Sequence, residues 1–240
     1  LRALDSYVRA LLPKKKLDSI MKEADSLELA LPPSLRTEIK AVSDSSGVSY
    51  RDLVAFNVIP RLRCSALAVW NTAAADGKLL MGRNADYFGM GLSDRGSLLV
   101  AHHPDDGNPV LAVTFLGMVG GFTGINSKRV AFGNMLVFNA REDGTDWRGL
   151  AIQLQLRIAA QIANTAREMA DILKKQRHVI PMNVMIADPT EALVLEIGLS
   201  QVVERTGEDG VIAASNWFRA PSMYSDAVAC DRYDALVSAA

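Results

Sequence analysis

The chain has 240 residues, 49% of them hydrophobic, and a formal net charge of -1 from 26 Lys and Arg against 27 Asp and Glu. That balance leaves no electrostatic footprint for nucleic acid or an anionic membrane, and the length allows one large domain or two small ones with a full core. Two cysteines, Cys64 and Cys230, make no disulfide framework, and no CxxC or Cys/His spacing points to zinc.

Residues 1 to about 56 read as helical, with apolar residues three and four apart in DSYVRALL, LDSIMKEADSLELALP and PSLRTEIKAVSDSS, broken at Pro13 and Pro32-Pro33. Ser49 stands as an N-cap before a further helix, SYRDLVAFNVI. At Cys64 the pattern changes to short segments rich in Val, Leu, Ala and Phe, at 64–73, 79–83, 97–103, 110–116 and 130–138. The longest uncharged run, Asn108 to Lys128, carries Gly117, Gly120, Gly121 and Gly124, which suits strands and turns beside a pocket rather than a spanning helix. One long helical region is predicted over roughly 149 to 177, with Leu150, Leu154, Ile158, Ile162 and Met169 on one face. After Pro181 come the strands NVMIADP, EALVLEIG, SQVVERT and VIAASNWF, and the tail from Ser225 reads as helix. This order implies an α+β fold with packed sheets.

His102 and His103 flank the turn Pro104-Asp105-Asp106-Gly107, and His178 follows a basic helix end, so each has a structural explanation. The chain begins at Leu1 rather than Met, which implies residues upstream. Nothing within it has a signal peptide's basic start and apolar core, so the compartment stays open.

Taken alone, a buried cysteine is more often an inert small hydrophobe than a nucleophile. As a nucleophile Cys64 needs a base and donors for the developing oxyanion, and no histidine stands in a motif with it. It can supply its own base. If the Arg63–Cys64 bond is cut, the freed α-amino group has an ordinary pKa of about 7.7–8.0, suited to proton transfer near neutrality.

The ordered set of Cys64-Ser65, Asp76-Gly77, Gly82-Arg83-Asn84-Ala85-Asp86, NVMIAD and ASNWF resembles the N-terminal nucleophile (Ntn) hydrolases. Within them it is similar to the branch of choloylglycine hydrolases, acid ceramidase and the acyl-CoA:6-aminopenicillanic acid acyltransferases, the last fitting best, from roughly residue 35 onward. The resemblance implies a four-layer αββα sandwich at 64–240 behind a helical pro-region, 1–63, cleaved off after Arg63. It implies hydrolysis or acyl transfer at a linear amide of a small molecule, with no metal or organic cofactor and with the pro-region staying bound. A homo-oligomer is compatible with it. Residue by residue, Cys64 matches the nucleophile, Asp86 the aspartate that holds its α-amino group, and Arg83 the neighbouring arginine. Asn216 and Asn134, with Asn139 as substitute for the latter, match oxyanion asparagines, and Arg232 matches the arginine of an S-x-x-R element in which Cys230 stands near the usual serine.

The sequence departs from the family at Arg63, where a small or apolar residue is usual, at Ser215 and Trp217 beside Asn216, in a short 86–100 segment, and in an early end at Ala240. Phe88, Met90, Met118, Phe122, Met135 and Trp217 are the expected pocket walls. Two other readings stand beside this one: a non-catalytic relative that stays uncleaved, and a Cys-His hydrolase using His178.

Overall fold

The computed structural model describes residues 20, 22–58, 63–86, 96–142 and 144–240. Among the described residues, the helices α1 (Ala24–Ala30), α2 (Pro33–Ser46) and α3 (Tyr50–Phe56) precede the strands. Pro33 opens α2 at a position where a missing N–H costs nothing, and Gly47 closes it at φ 72°. The expected helices before residue 20 lie outside the described residues.

Ten strands follow: β1 (Arg63–Val69), β2 (Leu80–Asp86), β3 (Ser97–His102), β4 (Val110–Phe115), β5 (Thr123–Asn126), β6 (Ala131–Leu136), β7 (Met182–Ala187), β8 (Ala192–Ile197), β9 (Val202–Thr206) and β10 (Val211–Ala214). Helices α4 (Ile152–Ile162) and α5 (Ala166–Lys174) separate β6 from β7, and α6 (Asp231–Ser238) comes last. Strands β3 to β9 form a seven-stranded antiparallel sheet in chain order, and β10, β1 and β2 form a three-stranded one. The sheets meet face to face, β1 against β6 and β10 against β7 and β8. Helices α4 and α5 cover the outer face of the large sheet, and α6 lies against β10 and β1. The fold is an α+β sandwich.

Side-chain alternation assigns the two cores. Val184, Ile186, Leu193, Leu195 and Ile197 pack outward against Leu156, Met169 and Leu173 of the helices. Met185, Ala187, Ala192 and Val194 point inward, joining Cys64, Ala66, Ala68 and Ala214. Both faces of β7 and β8 are buried, so their sequences read as unbroken apolar runs. The N-terminal helices feed Leu35, Ile39, Leu53 and Phe56 into the same inner core. Buried Asn57 fastens them there, donating to the Gly117 carbonyl (3.0 Å) and accepting from Val119 N (2.9 Å) and, on its own carbonyl, from Gln153 Nε2 (2.6 Å).

Several boundaries differ from expectation. The helical stretch 149–177 is two helices, because Ala163 turns extended and Thr165 caps α5 by accepting from Glu168 N at 3.1 Å. Strand β5, four residues with a glycine inside, falls within the 108–128 run expected to hold strands and turns. Strand β2 runs on to Asp86, so the whole GRNxD element is strand, whereas β10 stops at Ala214, before Asn216. The tail helix begins at Asp231, six residues later than Ser225.

The glycine run serves close packing. A Cβ on Gly124 would lie 2.6 Å from Cζ of buried Phe132 and 2.7 Å from the Leu111 carbonyl oxygen. Gly124→Ala is therefore expected to destabilise by about 1–3 kcal/mol through overpacking, where an ordinary strand glycine would gain from alanine. Urea denaturation at unchanged m-value checks it.

Candidate active site

Cys64 is the second residue of β1 and is fully buried. On one side β1 pairs with β2 in the register Arg63↔Asp86, Cys64↔Ala85 and Ala66↔Arg83. Alternation then puts Arg83 on the face of Cys64 and Ala66, and Asp86 on the opposite face with Arg63. Arg83 uses that placement: its Nη2 donates to Cys64 Sγ at 3.0 Å and to the Asn134 carbonyl at 2.8 Å. Gly133 leaves the room, since a Cβ there would lie 3.0 Å from Arg83 Cγ.

On the other side the pairing of β1 with β10 ends at Ala66↔Ala214, so Cys64 has no ladder partner there. Its backbone N–H instead donates to Asn216 Oδ1 at 2.8 Å. Asn216 is itself held, its Nδ2 donating to the Leu136 carbonyl at 2.6 Å and its carbonyl accepting from Phe138 N at 3.0 Å. From α6, Arg232 reaches the same place. Its Nη2 donates to Asn216 Oδ1 (2.8 Å), and its Nη1 to the Cys64 carbonyl (3.3 Å) and Asp86 Oδ2 (3.0 Å). Asn84 Nδ2 donates to the other oxygen of Asp86 at 2.6 Å.

Burial raises the Cys64 thiol above its ordinary pKa, Arg83 pulls it down, Asp86 raises it, and Arg232 lowers it again; the net direction is up. The thiol thus stays protonated near neutrality, and a nucleophilic role needs a base beside it.

An open cavity of about 330 Å³ adjoins these residues, lined by Arg63, Phe138, Asn216, Trp217, Cys230 and Arg232 among others. Phe138 and Trp217 meet edge to face, centroids 5.7 Å apart at 63°.

No protein-family model matches the chain. An uncharacterized protein of Archaeoglobus fulgidus is 22% identical over 222 residues, covering 83% of this chain and 34% of that one. Protein dcd1B of Dictyostelium discoideum is 28% identical over 113 residues, covering 44% of this chain and 22% of that one. The chain thus spans about a third or less of the length of these curated relatives. Among solved structures, the N-acylethanolamine-hydrolyzing acid amidase ortholog of Caenorhabditis elegans superposes with a TM-score of 0.51 at 16% identity, over 65% of this chain and 71% of that chain. The chain has the Ntn-hydrolase fold.

Within that fold, Cys64, Arg83, Asp86, Asn216 and Arg232 come together, although they lie on β1, β2, α6 and the segment after β10. Two of the expected details change. Asp86 accepts from Arg232, while the Cys64 nitrogen goes to Asn216. Asn134 pairs with Val184 in the row that faces the helices, so its carbonyl rather than its side chain reaches the site. Asn139, the substitute, is scaffold: it donates to the Phe218 and Asp226 carbonyls and accepts from Phe218 N. His178 sits beside Leu150 at the start of the helical region, and burial pushes its pKa down to about 4. It makes no hydrogen bond to Cys64 among the described residues.

Of the expected pocket walls, Trp217 lines the cavity, while Met118, Phe122 and Met135 are buried in the inner core. Phe88 and Met90 lie outside the described residues. Phe138, half exposed at 50%, was unforeseen because it ends what reads as one apolar strand.

Two ion pairs near the site differ in burial, which fixes their expected worth. Asp86 and Arg232 are 45% and 38% exposed, so Arg232→Met should cost no more than about 1 kcal/mol of stability. Glu196 is fully buried and pairs with Arg205 at 2.6 Å, so Arg205→Met strands a buried carboxylate and should cost about 3–5 kcal/mol. Urea denaturation of the two variants side by side checks the order.

Proposed function

We propose that the chain is a self-processing cysteine amidohydrolase or N-acyltransferase, with Cys64 as nucleophile and a linear amide of a small molecule as substrate. The observation that carries the reading is the backbone nitrogen of Cys64, which donates to the side-chain oxygen of Asn216 rather than to a strand. That side-chain acceptor satisfies the buried N–H in the intact chain and can go on accepting from the same nitrogen once cleavage makes it an amine.

In the first step the Cys64 thiol attacks the Arg63 carbonyl carbon and the Arg63–Cys64 C–N bond breaks, leaving a thioester and a free α-amino group. Water hydrolyses the thioester, releasing the Arg63 carboxylate and the thiol. The amine, with an ordinary pKa of about 7.7–8.0, then takes the thiol proton. The thiolate forms beside the Arg83 guanidinium and attacks the substrate amide carbonyl. Asn216 offers its amide to the oxyanion, the Cys64 ammonium protonates the departing amine, and water or an acceptor amine resolves the acyl thioester.

Arg232 bridges Asp86 to Asn216, so both fix the polar frame around Cys64 rather than touch the sulfur. The Phe138–Trp217 pair suits an apolar acyl group. The released pro-region stays docked through its apolar core and the Asn57 and Glu38–Arg157 contacts. The C. elegans neighbour is named for hydrolysing an amide, which agrees in reaction class.

N-terminal sequencing of the larger fragment should read CSALAV, and Cys64→Ala should abolish both cleavage and turnover with the fold kept. An intact chain in active protein contradicts the mechanism, and an intact, inactive one favours the non-catalytic relative. Asp86→Asn and Arg232→Met should each slow cleavage by roughly 10²-fold, as expected when a supporting group shifts reacting atoms by about 1 Å. Because Asp86 acts through Arg232, the double variant should lose little more than Arg232→Met alone. Intact mass against time gives all four rates.

A further inference from the structure

The segment 215–220 carries Asn216, and buried polar groups on one row of the large sheet grip it. Register aligns Met135, Asn183 and Glu196 across β6, β7 and β8, on the inner face. Asn183 is fully buried, and its Nδ2 donates to the Ser215 carbonyl (3.0 Å) and the Trp217 carbonyl (3.1 Å), one on each side of Asn216. Glu196 accepts from Arg219 N (2.9 Å) and Ala220 N (3.0 Å) just beyond.

Burying an amide between two packed sheets is costly unless hydrogen bonds offset its lost hydration. The Asn183 Oδ1 has no hydrogen-bond partner among the described residues, so only the two donor bonds repay that cost. Both end on carbonyls of the two residues that flank Asn216 and so restrain the backbone that carries its side chain. We infer that Asn183 is a positioning residue for Asn216, and through it for the Cys64 nitrogen; its catalytic consequence rests on the nucleophile proposed above. It touches neither sulfur nor cavity, and acts by fixing the backbone on both sides of the residue that does.

The test separates the geometry from the chemistry. In a Cys64→Ala chain, the backbone amide at position 64 reports its bond to Asn216 by hydrogen exchange under NMR. Adding Asn183→Ala should speed that exchange by about tenfold, the factor corresponding to one net hydrogen bond. Asn139→Ala, which loosens the same segment at Phe218, should lower the melting temperature and leave exchange at position 64 near its starting rate. In the chain that keeps Cys64, Asn183→Ala should slow cleavage per folded molecule by roughly 10²-fold. If Asn183→Ala does not fold, Asn183→Leu keeps the side-chain size and removes both donors. Unchanged exchange, or equal effects of Asn139→Ala and Asn183→Ala, overturns the assignment. Faster exchange in a protein whose Cys64 form never cleaves upholds the positioning and overturns the nucleophile reading instead.

Discussion

The structure turns on a missing strand partner. Strand β10 ends at Ala214, so the Cys64 N–H, buried at the head of β1, must find an acceptor elsewhere. A buried amide left unpaired would cost about 1–3 kcal/mol, so some group has to meet it. The residue that does so, Asn216, sits two positions past the end of β10. The same break in the ladder that deprives Cys64 of a backbone acceptor supplies a side-chain one.

A side chain on an irregular segment is a poor fixture unless the segment is itself held. Here the holding is nearly complete. Asn183 takes two carbonyls, Asn139 takes Phe218 N and its carbonyl, Glu196 takes two amides, and Phe138 N takes the Asn216 carbonyl. Low dielectric makes such a network stiff when satisfied and damaging when broken. The large sheet thus works as a platform whose inner face grips the site segment through Asn183 and Glu196. Its outer face is mostly apolar and carries α4 and α5. The two cores have separate duties: one holds the fold together, the other aims residues.

How much of this the sequence discloses depends on distance along the chain. The GRNxD spacing from Cys64 is local, because a turn and one antiparallel register bring Arg83 beside the sulfur. The apolar runs of β7 and β8 announce strands buried on both faces. The Asn134 side chain shares the row of Val184, and sequence does not fix such a face, because a single-residue shift in register moves a side chain to the other side of a sheet. The bond between Asp86 and Arg232 spans 146 residues, so no periodicity reveals it. Asn183 was in view throughout, inside NVMIAD, yet its purpose is invisible until the segment it grips is placed beside it. The split of the predicted 149–177 helix was legible in principle, since Thr165 and Glu168 have the spacing of a helix cap.

On the proposed mechanism, the Cys64 nitrogen held by Asn216 becomes an amine on cleavage. The most direct measurement is an NMR spectrum of active protein labelled with 15N-cysteine, which carries only the nitrogens of Cys64 and Cys230. The account predicts one amide resonance, from Cys230, and one amine resonance, from Cys64, whose shift titrates near neutral pH. Two amide resonances in protein that turns over an amide substrate would contradict it.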